Sequence, residues 1–398
     1  MNYNEILASA RTQVGPYCKA CPVCNGRACA NAMPGPGSKV PGNGAARNYD
    51  KWQEIFVNMD TLCPNAEVDT TFELFGKKFA APIFVAPLGA VNMHYGDKYN
   101  DISYNGILVP AAAEYGICAL TGDGVDPEVM KNAAKDMAKV GGIGIPTIKP
   151  WNKEFVFEKI DLLNEVGTFA VAMDVDGAGL PFLKAMNPNA GSKSVEEMRE
   201  IVSHAKMPFI IKGIMTVKGA MKAIEAGADA IVVSNHGGRV QGNTPATAEV
   251  LPDIVKAVDG KIKVFVDGGI RSGVDVFKAL ALGADGVLIG RPIVPFVYAE
   301  GKEGFKVYMD KIVAELKGTM TMCGTPTLKD ITADNIFICL FELMSFGTLA
   351  IFHLWHTAVI RCFRCHHTLC IIEFIILFLI WKGIALCGIC LLYTSDAA

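Results

Sequence analysis

The sequence carries little excess charge of either sign: 37 lysines and arginines face 40 aspartates and glutamates, a net of −3. A chain so balanced has no excess of basic charge with which to neutralise a polyphosphate, which argues against a nucleic-acid partner. Histidine is scarce, at seven residues, which leaves few candidates for proton transfer near neutral pH. The stretch from Met1 to Pro16 lacks the basic cluster and apolar run of a secretory leader. A cytoplasmic, reducing setting is therefore expected, where the 13 cysteines act as thiols or metal ligands rather than as a disulfide framework. Nor does a G-x-G-x-x-G follow the first predicted strand; Pro87-Leu88-Gly89 stands there, against a dinucleotide-binding open sheet.

What is present is core material. Of the 398 residues 51% are apolar and 19% charged, which sets disorder and low-complexity architecture aside. The average hides a seam near residue 335. Residues 336–398 hold none of the 20 prolines but six of the 13 cysteines and four of the seven histidines. Ile371–Tyr393 is long and apolar enough to cross a bilayer. Without caps, turn residues or a steady period, and ending in LLYTSDAA, the tail is instead read as non-native and outside the fold. On that reading the zinc-like group Cys362, Cys365, His366, His367 and Cys370 is accidental and a membrane partner is not expected. The chain thus divides into a cysteine-containing cap (1–80), a main domain (81–335) and the tail (336–398).

Within the main domain, apolar runs bounded by turn residues predict strands at Pro82–Ala86, Ile117–Leu120, Gly142–Thr147, Thr168–Met173, Pro208–Lys212, Asp229–Ser234, Lys263–Asp267 and Asp285–Ile289. Helix-period stretches such as Val217–Ala226 and Ser272–Leu282 alternate with them. Each of these two closes on Gly-Ala-Asp, where glycine suits a left-handed stop. Eight such α/β units predict a TIM barrel, with a doubly wound sheet as the alternative. In the cap, Met33–Gly44 reads as loop, Asp50–Met59 as a short helix, and Thr71–Phe75 with Gly76-Lys77 as a hairpin across the barrel's bottom.

In such a barrel the reactive side chains stand at the strands' carboxyl ends. Those ends read Asp174, Lys212, Ser234-Asn235-His236-Gly237-Gly238-Arg239, Asp267-Gly268-Gly269-Ile270-Arg271 and Gly290-Arg291. The two glycine turns with Arg271 and Arg291 suit a phosphate. His236, three residues before Arg239, suits a base next to a carboxylate anchor. Asp174 either orients that imidazole or caps the following helix. Lys212 at a strand end needs an anionic partner, a reduced flavin or a Schiff-base substrate being the two uses considered. His204, on a helix beside Lys206, reads as a packed or solvated residue.

The runs IIKGIMT, AIVVSNHGGR, VFVDGGIRSGVDVFKALALGADGVLIGRP and ELKGTMTMCG, between Pro208 and Asp330, resemble the FMN-dependent 2-hydroxy-acid oxidases and dehydrogenases, the family of glycolate and lactate oxidase. The resemblance implies FMN in a TIM barrel and oxidation of a small 2-hydroxy acid to a 2-oxo acid, with oxygen or another acceptor, in a homo-oligomer. Carried over by motif, His236 is the base, Arg239 the carboxylate anchor and Asp174 the support of the histidine, with Lys212 beside the flavin. FMN contacts then fall to Ala86, Pro87, Leu88, Thr121 or Gly122, Ser234, Asp267, Gly268, Gly269, Arg271, Gly290 and Arg291.

The chain departs from the family pattern in two places. Its third strand lacks the usual Gln-x-Tyr, with Lys149 nearby, and Asp176-Gly177-Ala178-Gly179 replaces an arginine-rich stretch. At the front, Cys18, Cys21, Cys24 and Cys29 form a C-x2-C-x2-C-x4-C run, one residue longer than a ferredoxin pattern and without its proline. Such thiols suit an iron–sulfur cluster or zinc, or remain a reduced set. Two rival functions share these features: an isomerase of the type 2 isopentenyl diphosphate kind, and a non-catalytic flavin or metal redox sensor.

Overall fold

The computed structural model describes residues 1–30, 35–186 and 189–338. The tail beyond 338, with its apolar run and its Cys/His group, lies outside the described residues. Among the described residues no helix is long and apolar enough to cross a membrane.

Eight parallel strands close into a barrel. They are β1 (Ile83–Val85), β2 (Cys118–Thr121), β3 (Ile145–Ile148), β4 (Val171–Asp174), β5 (Phe209–Ile214), β6 (Ala230–Val233), β7 (Lys263–Val266) and β8 (Gly286–Ile289), and β8 pairs back onto β1 through Leu288 and Phe84. Every predicted strand is present, and the open sheet is excluded by closure. The two-residue period of a strand sorts the side chains. Phe84, Leu120, Ile145, Ala172, Ile210, Val232, Phe265 and Leu288 form one apolar cluster that fills the barrel. Their neighbours Val85, Val171, Ile211, Ile231, Val266 and Val287 join a second cluster beneath the surrounding helices.

The helices end where glycine permits. Gly227 and Gly283 have φ of 87° and 93°, left-handed stops that a β-carbon would strain. The aspartate after each reaches the neighbouring strand: Asp229 Oδ2 accepts from the Phe209 N–H at 2.7 Å, and Asp285 Oδ2 from that of Val264 at 2.8 Å. Repetition of one turn chemistry thus sets two barrel junctions, β5 to β6 and β7 to β8.

The hairpin Phe72–Leu74/Lys77–Phe79 plugs the bottom, as expected. Phe79 meets Phe84 at 5.5 Å and Phe169 at 5.4 Å between ring centroids. The cap's helix differs from expectation: it runs Gly44–Gln53, with Ala45, Ala46 and Trp52 buried, and is followed by the strand Ile55–Val57. That strand pairs with Ile336–Ile338, so the fold continues past the seam placed at 335. The helix belongs to the mouth rather than the bottom. Trp52 Nε1 donates to the Gly268 carbonyl at 2.8 Å, and Asn48 Nδ2 to Asn235 Oδ1 at 2.7 Å.

Residues 37–44 lie against residues 238–242 backbone to backbone. A β-carbon on Gly42 would stand 2.2 Å from the Gly242 carbonyl oxygen, and one on Gly44 2.9 Å from the Gly238 α-carbon. This seam of glycines lets the cap roof the loop that follows β6.

Candidate active site at the barrel mouth

Extending the inward parity of the strands by one or two steps predicts which residues face the mouth: Ala86, Gly122, Lys149, Asp174, Lys212, Ser234, Asp267 and Gly290. The mouth holds a cavity of about 800 Å³. Ala86, Pro87, Leu88, Gly122, Asp174, Lys212, His236, Arg239, Asp267, Gly268, Arg271, Gly290 and Arg291 all line it. Three residues assigned to the cofactor from sequence do not. Thr121 is on the outward parity of β2, and Gly122 takes its place. Ser234 sits behind Lys212, accepting from its Nζ at 3.0 Å and from the His236 N–H at 3.1 Å. Gly269 packs against the cap, where a β-carbon would meet the Asn48 carbonyl oxygen at 2.4 Å and Trp52 Cδ1 at 2.5 Å.

His236 occupies a strained turn. Its φ is 56°, and Gly237 and Gly238 follow at 62° and 77°. Left-handed backbone at a histidine is uncommon and persists only where the surroundings hold it. Here the seam and a carboxylate pair do so. The Asp176 Oδ1 lies 3.0 Å from Nδ1 and the Asp174 Oδ1 3.4 Å. Asp176, rather than the Asp174 inferred from the motif, is thus the nearer partner. Asp174 makes no side-chain cap to the helical turn after it. Its carboxylate is held by Lys149 and by Lys212, whose Nζ is 3.5 Å away.

The electrostatics follow from this packing. Burial pushes the imidazole pKa down, but Asp174 and Asp176 outweigh it and leave it above the ordinary histidine value. For Asp174 burial pushes the other way, and His236, Lys149 and Lys212 hold the carboxyl well below the usual range. Asp176 is raised, by burial first and then by Asp174. Lys212 is pushed down by burial and more strongly up by Asp174 and Asp267, so its charge is secure. The lysine therefore has two protein anions as partners. Its Nζ is 3.5 Å from Asp267 Oδ2 as well.

Lys149 is likewise committed to Asp174. The loop that carries it is fixed by buried Asp123, whose Oδ2 accepts from the Lys149 N–H at 3.1 Å and from Trp151 Nε1 at 2.7 Å. Arg239 donates to the carbonyls of Gly35 and Gly37, and its Nη2 donates to His94 Nε2 at 3.0 Å. Burial, then the adjacent guanidinium, lowers the His94 pKa to about 4, which keeps that ring neutral. Sequence reasoning missed Asp176 and His94. The first stands two residues beyond a motif aspartate in a segment read as a loss, and the second lies in the short helix Val91–Tyr95, which carries no motif. His204 is structural, its ring stacked on Phe157 at 4.2 Å and its Nε2 2.8 Å from Asp161.

Several buried polar atoms at the mouth have no protein partner among the described residues: Thr147 Oγ1, Asp176 Oδ2, Asp267 Oδ1 and Arg271 Nη2. Each would cost about 1–3 kcal/mol if left unpaired. They mark the wall of a ligand site, with a cation for an anion at one end and polar edges for a ring system at the other. Arg291 donates to the carbonyls of Pro36 and Gly237 at 3.0 and 3.2 Å.

The four cysteines Cys18, Cys21, Cys24 and Cys29 are free thiols that line a separate cavity of about 380 Å³. Among the described residues, Asp174, Asp176 and His236 form the single group of three metal-ligating side chains drawn within 4.8 Å of one another. No three of the four sulfurs lie that close to one another.

A family model described as FMN-dependent dehydrogenase matches residues 37–181 and 182–337. The chain is 32% identical over 322 residues to glycolate oxidase of Spinacia oleracea, covering 73% of this chain and 86% of that one. It is 46% identical over 153 residues to peroxisomal (S)-2-hydroxyacid oxidase GLO3 of Arabidopsis thaliana, an alignment spanning 38% of this chain and only 41% of that protein. A crystal structure of mandelate oxidase superposes with a TM-score of 0.68 at 25% identity, covering 84% of this chain and 97% of that one. All four cysteines precede the matched residues. The chain belongs to the FMN-dependent dehydrogenase family.

Proposed function

We propose that the chain oxidises a small 2-hydroxy acid to the 2-oxo acid, using FMN in the barrel mouth and oxygen or another acceptor to reoxidise it. The observation that carries this reading is the imidazole of His236, held by two buried carboxylates in the same cavity as Arg239 and the glycine turns after β7 and β8. The donor set there fits the cofactor. Arg271, Arg291, Gly268 and Gly290 would hold its phosphate; Ala86, Pro87, Leu88, Gly122, Asp267 and Lys212 would line its ring and chain. FMN, when bound, supplies a two-electron acceptor.

The rest is done by side chains. Arg239 would hold the substrate carboxylate, aided by a neutral His94 that does not compete for the charge. Neutral His236 would take the substrate proton, and Asp176 and Asp174 would fix the ring through Nδ1 and stabilise the imidazolium. Lys149 offers no second clamp while Asp174 retains it, so substrate grip falls on Arg239. Glycolate and mandelate, after which the Spinacia oleracea relative and the superposed oxidase are named, are the compounds to try first.

Anaerobic titration tests the reaction: a 2-hydroxy acid should bleach bound FMN, and a broad panel leaving it oxidised would end the proposal. The pH profile tests the base. Protonated His236 cannot accept a proton, and its pKa is raised, so kcat/KM should fall as pH drops through a value above the ordinary 6.5 or so. Asp176→Asn removes one of the raising carboxylates and should move that acid limb to lower pH while slowing the plateau. A limb that stays put in the variant would dissociate Asp176 from the base.

A further inference from the structure

The geometry points to a [4Fe–4S] cluster bound by Cys18, Cys21, Cys24 and Cys29 in the 380 Å³ cavity beside the barrel mouth. Three observations converge on it. All four thiols line one cavity although they are spread over twelve residues of chain, and no three of their sulfurs lie within 4.8 Å of one another, a spacing that suits the corners of a cluster better than the shell of one ion. The cavity also holds a polar group with nothing to bond. Tyr308 is 1% exposed, lines the cavity, and has a hydroxyl without a partner. It is a donor, as cluster sulfurs require. Finally, thiolate ligation brings negative charge, and the wall supplies Lys19, Arg271, Arg291 and Lys311 to offset it, against one carboxylate, Asp275.

Placement gives the site a use. Arg271 and Arg291 line this cavity and the mouth cavity alike, so a single layer of side chains separates them. The Cys24 carbonyl accepts from Arg271 Nε, which ties the cysteine loop to that layer. If the flavin reading holds, on which this step rests, the two electrons taken from each 2-hydroxy acid leave one at a time. The cluster accepts each from the flavin and passes it to a one-electron carrier protein, which is thereby reduced, and the two substrate protons go to solvent. Two carriers are reduced per 2-oxo acid formed.

The test is made on the full chain, purified without air and reconstituted with ferrous iron and sulfide. About four iron and four sulfide per chain are expected, with an electron paramagnetic resonance signal of a reduced cluster after dithionite. Cys21→Ser and Cys24→Ser should bring iron to background while FMN content, read separately, stays at the wild-type level and reports the intact barrel. Cys63→Ser, at an exposed thiol, should keep the iron. Iron at background in the wild type, iron unaffected by the two cavity variants, or one zinc per chain would each overturn the proposal. Iron bound to a chain that takes up no FMN would uphold the cluster site and overturn the flavin reading instead.

Discussion

Replacing His236 by alanine should slow reduction of the flavin by a 2-hydroxy acid by about 10²–10⁴-fold, the usual worth of a positioned general base, without emptying the cofactor site. The groups proposed to hold the cofactor phosphate, Arg271, Arg291 and the turns at Gly268 and Gly290, do not include the imidazole. Stopped-flow absorbance under nitrogen gives the rate, and the ratio of flavin to protein absorbance gives occupancy. The left-handed backbone at residue 236 complicates alanine, which tolerates φ of 56° poorly. His236→Asn is the companion variant, because asparagine adopts that conformation readily and carries no base. Loss in both variants with FMN retained assigns the effect to proton transfer. A rate within a few-fold of wild type in the asparagine variant would remove His236 from that role.

Lys212→Met should cost about 3–5 kcal/mol of folding stability, because it strips a cation from two carboxylates that cannot reach bulk water. Asp174 is 2% exposed and Asp267 7%, and the ammonium stands 3.5 Å from each. Methionine fills the same volume, so the change isolates charge from packing. Asp174 keeps Lys149 and His236, whereas Asp267, whose second oxygen already lacks a partner, loses its ion pair. Urea unfolding followed by circular dichroism, with and without FMN, measures the loss. A midpoint equal to wild type would mean that the attraction in this network merely cancels the cost of burying it.

Much of this architecture is legible in the sequence because strands and turns are local. Alternation of two residues, applied to eight apolar runs, locates both the core and the inward ends, and it even selects Gly122 over Thr121 once the parity of β2 is known. Two glycine turns followed by arginine likewise reveal themselves in a few residues. What stayed hidden depends on partners far apart in the chain. Asp176 meets a histidine 60 positions later, and His94 meets an arginine 145 positions later. No window of sequence contains either pair. The cap's helix was misplaced for a related reason: Trp52 and Asn48 are buried by loops after β6 and β7, so its boundaries are set by tertiary contact rather than by its own period.

The backbone-to-backbone junction between residues 37–44 and 238–242 restricts how the cavity at the mouth can be reshaped. At Gly42 and Gly44 a methyl group would pry the roof from the loop that carries His236 and Arg239, so reshaping is confined to residues outside the junction. Met93, Val125 and Leu180 border the cavity free of that junction. Selection or design for new specificity should therefore accumulate at those three residues and leave the glycines fixed.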